Sequence, residues 1–186
     1  MSPAFAGELR DTIDLSGKWS YWLHGAPDSI ASEGILSLPG TLDTNGVGMP
    51  VPKSDNTSQL SRRVTFSGDV SYSREVDIPV EWSGKDIELY IERSRPSTVI
   101  IDGKRAGHSS LLSSAQKFNL SGCLAPGKHT IEIVVNNADS IPLAIRNNSH
   151  ACTESTQTNW NGMIGRLHLE ARNPQHISSV KTFPKT

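Results

Sequence analysis

The chain has 186 residues, two cysteines, six histidines and a formal net charge of −1 at pH 7. This length suits a single domain with short tails, which buries enough surface to fold without disulfides or metal ions. The near-neutral charge argues against nucleic acid or an anionic membrane surface as a partner. No apolar run approaches the roughly 20 residues that a membrane-spanning helix needs.

The first third of the chain predicts two strands, a short apolar strand at 36–38 that runs into a Pro-Gly turn, and then a long loop. Residues 10–23 form a strand, a Ser-Gly turn and a second strand in which Trp19 and Tyr21 share one face. Large aromatic side chains on such a face are usually core, and the alternative is a platform on which a sugar ring stacks. The polar stretch 45–70 is predicted as a long loop, with room for a short helical turn near 57–60.

The middle of the chain carries the clearest strand pattern. Apolar and polar residues alternate in four segments, so each segment has one apolar face and one wetter face. Asp102 and Gly103 tolerate positive φ, which favours a tight hairpin between them. Strands with one apolar face need a second sheet to cover them. The four segments are 72–78, 86–92, 98–101 and 130–136.

The last third predicts a surface connection at 106–116, a strand at 117–120, a polar loop at 139–158 and a strand at 166–171. No amphipathic helix is predicted anywhere in the chain. About eight to ten short strands separated by turn signals indicate an all-β fold, a β-sandwich that is most simply a jelly roll.

This pattern gives three segments. The jelly-roll domain is predicted over 11–172, residues 1–10 as a disordered or added N-terminal segment, and 173–186 as a linker or a final short strand at 177–183.

No residue pattern of a catalytic or metal site stands out. Hydrolysis of a sugar bond needs two carboxylates about 5 to 10 Å apart, but Glu88 and Glu92 alternate along one strand and are expected to face solvent. The sequence has no nucleophile elbow, phosphate-binding loop or zinc-protease motif. His129 and His168 lie in or beside strands and are expected to be structural. We therefore predict no catalytic residue, no cofactor and no metal in this chain.

The two cysteines match no metal-binding spacing. Cys123 stands beside a turn and Cys152 in the last polar loop. Two unpaired thiols are expected, since a disulfide would require the pair to meet in space.

The last polar loop concentrates side chains that suit a sugar. Amides hydrogen-bond to sugar hydroxyls, and an indole stacks on the apolar face of a sugar ring. The alternative is that the amides satisfy the backbone of their own loop. The candidate substrate-binding residues are His150, Glu154, Gln157, Asn159, Trp160 and Asn161.

Six segments, taken in order, resemble the N-terminal sugar-binding domain of glycoside hydrolase family 2, the family of β-galactosidases, β-glucuronidases and β-mannosidases. They are LSGKW at 15–19, LPGTLDTNG at 38–46, YSREVDIP at 72–79, DGK at 102–104, LAPGKH at 124–129 and TQTNWNGMIG at 156–165. The second and the last resemble versions common in Bacteroides-type bacteria.

The resemblance implies a galactose-binding-domain-like jelly roll that is followed, in the family, by an immunoglobulin-like domain and a catalytic (β/α)₈ barrel. Such a barrel takes about 250 residues and cannot fit here. The resemblance therefore implies a domain of a larger glycosidase, whose partners are carbohydrate and the remaining domains of the parent enzyme, with a periplasmic or secreted location suspected.

In the family, the loop before the Trp-x-Gly turn reaches the rim of the barrel's active site, which points to the stretch 150–161. An aspartate serves there in some members, and Glu154 is the nearest acidic residue. Two alternatives remain from the residues: a free-standing carbohydrate-binding module, and a purely structural sandwich.

Overall fold

Alternating apolar side chains fold this chain into two antiparallel sheets that share one core. The computed structural model describes residues 10–53, 55–57, 60–147, 152–153, 158–177 and 179–184. The predicted all-β sandwich is confirmed.

The described residues contain 13 strands and one short α-helix. The strands are β1 Arg10–Asp14, β2 Gly17–Leu23, β3 Glu33–Leu38, β4 Gly40–Thr41, β5 Met49–Pro50, β6 Val64–Thr65, β7 Asp69–Ile78, β8 Asp86–Ser94, β9 Ser97–Ile101, β10 Lys104–Ser109, β11 Gln116–Asn119, β12 Gly127–Asn136 and β13 Gly162–Arg172. The helix α1 spans Leu143–Arg146, and a 3₁₀ turn spans Val80–Trp82.

The larger sheet has the strand order β10-β9-β12-β7-β2-β3, and the smaller sheet has β1-β13-β8-β11 with β4 beside β13. The ladder between β12 and β7 runs without a break from Gly127 opposite Ile78 to Asn136 opposite Asp69. In the smaller sheet, Met163 at the start of β13 lies opposite Ser94 at the end of β8.

The core lies between the sheets. One face of β8 contributes Ile87, Leu89 and Ile91, and one face of β12 contributes Ile131, Ile133 and Val135, all of them buried. These are the positions that the period of two predicts, because successive side chains point to opposite faces.

Trp19 and Tyr21 belong to this core. They are therefore core side chains and not a platform on which a sugar ring stacks. The indole nitrogen of Trp19 donates to the Leu15 carbonyl at 2.9 Å, so its polar atom is satisfied although the ring is buried. Trp22 has the opposite parity and stands on the outer face of the larger sheet.

The predicted hairpin is confirmed: Asp102 and Gly103 have φ of 49° and 76° and connect β9 to β10. β10 continues to Ser109, so the predicted surface connection at 106–116 is partly wrong. Pairing with the backbone of β9 holds this part of β10, which has no alternation of apolar residues to reveal it.

Three other segments differ from the predictions. The stretch 45–70 contains the short pair β5–β6, and α1 begins after Pro142 in the region predicted as a loop. Four residues are too few to show a helical period. No strand forms in the described residues of the tail, 173–177 and 179–184, and the helical turn suggested near 57–60 falls partly outside the described residues.

Gly162 brings β13 against β4. Its φ is 143°, and a Cβ there would lie 2.3 Å from the Gly40 carbonyl oxygen. Only glycine permits this approach, so Gly162 fixes where the segment before β13 enters the sandwich.

His129 is a structural residue, as its position predicted. Its Nδ1 lies 2.6 Å from the Asp102 carboxylate, and its Nε2 lies 2.8 Å from the Ala125 carbonyl oxygen. Both ring nitrogens face acceptors, so the hydrogen bond to Asp102 raises the pKa of His129. The same contact lowers the pKa of Asp102.

The stability that this pair gives should depend on pH. The contribution of His129 is complete below its unfolded pKa, roughly 6.5, and is lost as pH rises through its raised folded pKa. The contribution of Asp102 is present above its unfolded pKa, roughly 3.9, and is lost as pH falls. We expect His129→Gln to cost more stability at about pH 5.5 than at about pH 9.

Urea denaturation at the two pH values measures this difference. The control is His108→Gln, because His108 is exposed and contacts the Thr98 hydroxyl rather than a carboxylate. An equal cost of His129→Gln at both pH values would contradict the prediction.

Candidate functional site

The segment 158–161 lies at one end of the sandwich, immediately before β13. Strand register brings the start of β13, the end of β8 and the start of β9 to this end. The end of β12 and the start of β7 meet there as well. Among the predicted site residues, the structure brings Asn159, Trp160 and Asn161 together, and His150, Glu154 and Gln157 lie outside the described residues.

Asn161 is 1% exposed and its amide is committed to the protein. Its Oδ1 accepts a hydrogen bond from the Tyr72 hydroxyl at 2.8 Å, and its Nδ2 donates to the Val135 carbonyl at 3.0 Å. Burial raises the pKa of Tyr72 well above its usual range, so this hydroxyl stays a donor. The Asn161 amide therefore holds the segment against the larger sheet and is not available to a ligand.

Asn137 forms the second half of this network. Its Nδ2 donates to the carbonyls of Phe66 and Asn159 at 2.9 Å each, and its Oδ1 accepts from the Gly68 amide at 2.9 Å. Asn159 Nδ2 donates back to the Asn137 carbonyl at 2.8 Å. Sequence analysis missed Asn137, because an asparagine that directly follows a strand has the same sequence pattern whether it holds another segment or only forms a turn.

Arg95 holds the same segment from the other side. It lies in the turn between β8 and β9 and is only 4% exposed. Its guanidinium donates to the carbonyls of Thr158 at 3.2 Å and Trp160 at 3.4 Å, and to the thiol of Cys152 at 3.2 Å. Burial lowers the pKa of Arg95, but an arginine remains protonated in proteins. Sequence analysis missed Arg95, since a cation beside a proline in a short turn usually faces solvent.

Trp160 is half-buried, and Arg95 lies over its ring with 4.5 Å from the guanidinium carbon to the ring centroid. This is a cation–π contact, and it fixes the orientation of the indole. One part of the ring is thus covered by protein while another part stays accessible. Asn159 is also half-buried, so Trp160 and Asn159 are the described candidates that solvent reaches.

Thr158 carries unusual backbone geometry. Its φ is 42°, in the left-handed region that β-branched residues rarely adopt. The Thr158 carbonyl is one of those that accept from Arg95, so the buried cation stabilises the strained residue. Strain of this kind is found most often at functional sites.

A cleft of about 640 Å³ adjoins the segment. Arg62, one of its lining residues, donates to the Asn159 carbonyl at 3.2 Å and so links the cleft to the segment. The charged residues that line the cleft are Lys53, Asp55, Arg62 and Arg63. Its lining residues are Val51, Pro52, Lys53, Asp55, Asn56, Leu60, Ser61, Arg62, Arg63 and Thr65.

The two glutamates of β8 are engaged in ion pairs. Glu88 lies 2.8 Å from the Arg172 guanidinium and Glu92 lies 2.9 Å from the Arg166 guanidinium, both on the outer face of the smaller sheet. The described residues contain no group of three His, Cys, Asp or Glu side chains that could hold a metal ion. They also contain no helix long and apolar enough to cross a membrane.

The two cysteines are unpaired, as expected. Cys123 is exposed and Cys152 is buried against Arg95.

Solved structures of β-glucuronidases superpose on this chain. The β-glucuronidase of Faecalibacterium prausnitzii superposes with a TM-score of 0.60 at 14% identity, over 94% of this chain and 33% of its own. The calcium-binding mutant of β-glucuronidase 2 from Bacteroides uniformis gives 0.60 at 22% identity, over 87% of this chain and 18% of its own. The Bifidobacterium dentium enzyme complexed with coumarin-3-O-glucuronide gives 0.62 at 16% identity, over 93% and 32%.

No family model matches the sequence, and no curated protein sequence matches it either. The chain spans a third or less of the length of these β-glucuronidases. At these identities the likeness establishes the fold. This chain therefore has the fold of one part of β-glucuronidases, the group of enzymes to which the sequence resemblance also points.

Replacing Arg95 should loosen the segment that it holds. In a Cys123→Ser background, Arg95→Met removes the donors to Thr158, Trp160 and Cys152, and we expect the free energy of unfolding to fall by about 2 kcal/mol. Labelling of Cys152 by a thiol reagent should accelerate about tenfold or more, since the thiol becomes accessible when the segment opens.

The matched control is Arg93→Met, because Arg93 is an exposed arginine two residues away. If Arg95→Met labels no faster than the control, Arg95 does not hold the segment closed.

Proposed function

We propose that this chain is the sugar-binding accessory domain of a larger family 2 glycoside hydrolase, in which another domain hydrolyses the O-glycosyl bond. The observation that carries the proposal is the shared fold, which covers about nine-tenths of this chain but a third or less of β-glucuronidases. The ordered motifs at 38–46 and 156–165 support the same assignment.

In this proposal the segment 158–161 contributes to the rim of the active site. Trp160 offers the accessible part of its indole to the apolar face of a sugar ring, and Arg95 holds that ring in place. Asn161 and Asn137 hold the segment in position through their hydrogen bonds and do not contact substrate. A rim built this way is preorganised, so little conformational entropy is lost on binding.

The adjoining cleft supports an acidic sugar as substrate. Lys53 and Arg63 line it, and these cations attract a uronate carboxylate more than a neutral sugar. The activity printed for the structural neighbours, β-glucuronidase, is of this class.

The test uses the 186-residue chain and the longest polypeptide that its reading frame encodes. Each is assayed with p-nitrophenyl β-glucuronide, β-galactoside and β-mannoside. We expect the longer polypeptide to hydrolyse the glucuronide fastest and the 186-residue chain to hydrolyse none of them. In the longer polypeptide, Trp160→Ala should lower kcat/KM about tenfold, because a stacking contact at the rim is lost.

Exposed Trp22→Ala is the control substitution, since it removes an indole away from the rim. Turnover by the 186-residue chain would contradict the proposal. If the reading frame encodes no further domain and the chain binds sugar saturably, it is a free-standing carbohydrate-binding module instead.

A further inference from the structure

The outer face of the larger sheet carries an exposed indole that the proposed function does not use. Trp22 lies on β2 with the parity opposite to Trp19 and is 53% exposed. Its ring centroid lies 4.2 Å from that of His24, two residues along on the same side of the chain. A large aromatic ring left half in water on a sheet face is a candidate contact surface.

A hydrogen-bonded chain of three side chains lies beside Trp22. The Ser71 hydroxyl donates to Glu132 Oε1 at 2.7 Å, and His24 Nε2 lies 2.9 Å from the same hydroxyl. Because the hydroxyl has one proton and gives it to Glu132, His24 Nε2 must be the donor to Ser71. In a neutral His24 ring this order leaves Nδ1 as a hydrogen-bond acceptor, and Nδ1 has no partner among the described residues.

Further polar groups stand on the same face. Ser20 lies two residues before Trp22 on β2, and Ser73 lies opposite Ser20 on β7. Ser71 is the residue directly opposite Trp22, so Ser73 lies diagonally across from the indole, at about 7–8 Å between Cα atoms. Neither the Ser20 nor the Ser73 hydroxyl bonds to another side chain in the described part of the protein. Both hydroxyls on this face are therefore available to a ligand.

Tyr90, on the outer face of the smaller sheet, has more neighbours around its ring than Trp22 has. His168 stacks on it at 4.9 Å, and the side chains of Arg166 and Lys117 lie 5.3 Å and 5.7 Å from its ring centroid. Three neighbours crowd Tyr90, whereas the described rings and cations leave Trp22 with His24 alone.

The charges near Trp22 select the kind of ligand. Glu33 is its partner on β3, and Glu132 stands on the same face two strands away. Lys18 lies four residues back on β2 and donates to Ser37. Carboxylates beside the indole repel a uronate or a sulfated sugar and accept hydrogen bonds from hydroxyls.

We propose that Trp22, His24 and Glu132 form a binding site for a neutral oligosaccharide on the outer face of the larger sheet. The indole stacks on the apolar face of one sugar ring, and the second Glu132 carboxylate oxygen and His24 Nδ1 bond to its hydroxyls. The site is separate from the segment 158–161 and does not rest on the proposed function.

The test is calorimetric titration of the 186-residue chain with cellohexaose, xylohexaose and mannohexaose, and with hexagalacturonate as the acidic probe. We expect at least one neutral hexasaccharide to bind saturably and more tightly than hexagalacturonate. Trp22→Ala should weaken that binding about tenfold or more, and Trp22→Phe should weaken it less because a stacking ring remains.

The control variant is Val80→Ala, which removes a 71% exposed apolar side chain elsewhere and should change nothing. Thermal melting confirms that each variant is folded. The proposal is overturned if no neutral probe binds at millimolar concentration, or if Trp22→Ala binds as well as the parent chain.

Discussion

The buried amide of Asn161 connects the two sheets at the end where the candidate site lies. It bonds to Tyr72 on β7 and to Val135 on β12, both in the larger sheet, while its own backbone leads into β13 of the smaller sheet. If the amide were removed, the Tyr72 hydroxyl would be left without its acceptor in an apolar interior, at a cost of about 1–3 kcal/mol. The position of the whole segment 158–161 depends on this arrangement.

The second constraint is the buried cation Arg95. A guanidinium taken out of water needs its donors satisfied, and here the backbone carbonyls of Thr158 and Trp160 do this. The same contacts hold Thr158 at positive φ and place the indole of Trp160 over the guanidinium. Burial of one charge thus orders a segment that has no regular secondary structure of its own.

The alternation of apolar residues predicted most of the sheet strands and the two-sided core, because strand geometry itself has a period of two. It did not predict β10 beyond Arg105, where pairing rather than burial decides the structure. The described part of the candidate loop, 158–161, lies immediately before β13, but composition alone could not show which of its amides are buried. Asn161 proved to be buried, whereas Asn159 and Trp160 remain half-buried. Arg95 and Asn137 form hydrogen bonds with residues about 60 and 20 positions away in the sequence, respectively. Local sequence patterns carry no information about contacts at such separations.

The most direct test of this account is the free energy of unfolding of Asn161→Ala, measured by urea denaturation beside Asn173→Ala. Asn173 is an exposed asparagine just beyond the other end of β13, so the two substitutions make the same chemical change in opposite surroundings. The account predicts a loss of about 2 kcal/mol or more for Asn161→Ala, because the buried Tyr72 hydroxyl loses its acceptor. It predicts a change within about 0.5 kcal/mol for Asn173→Ala. A loss below about 1 kcal/mol for Asn161→Ala would contradict it.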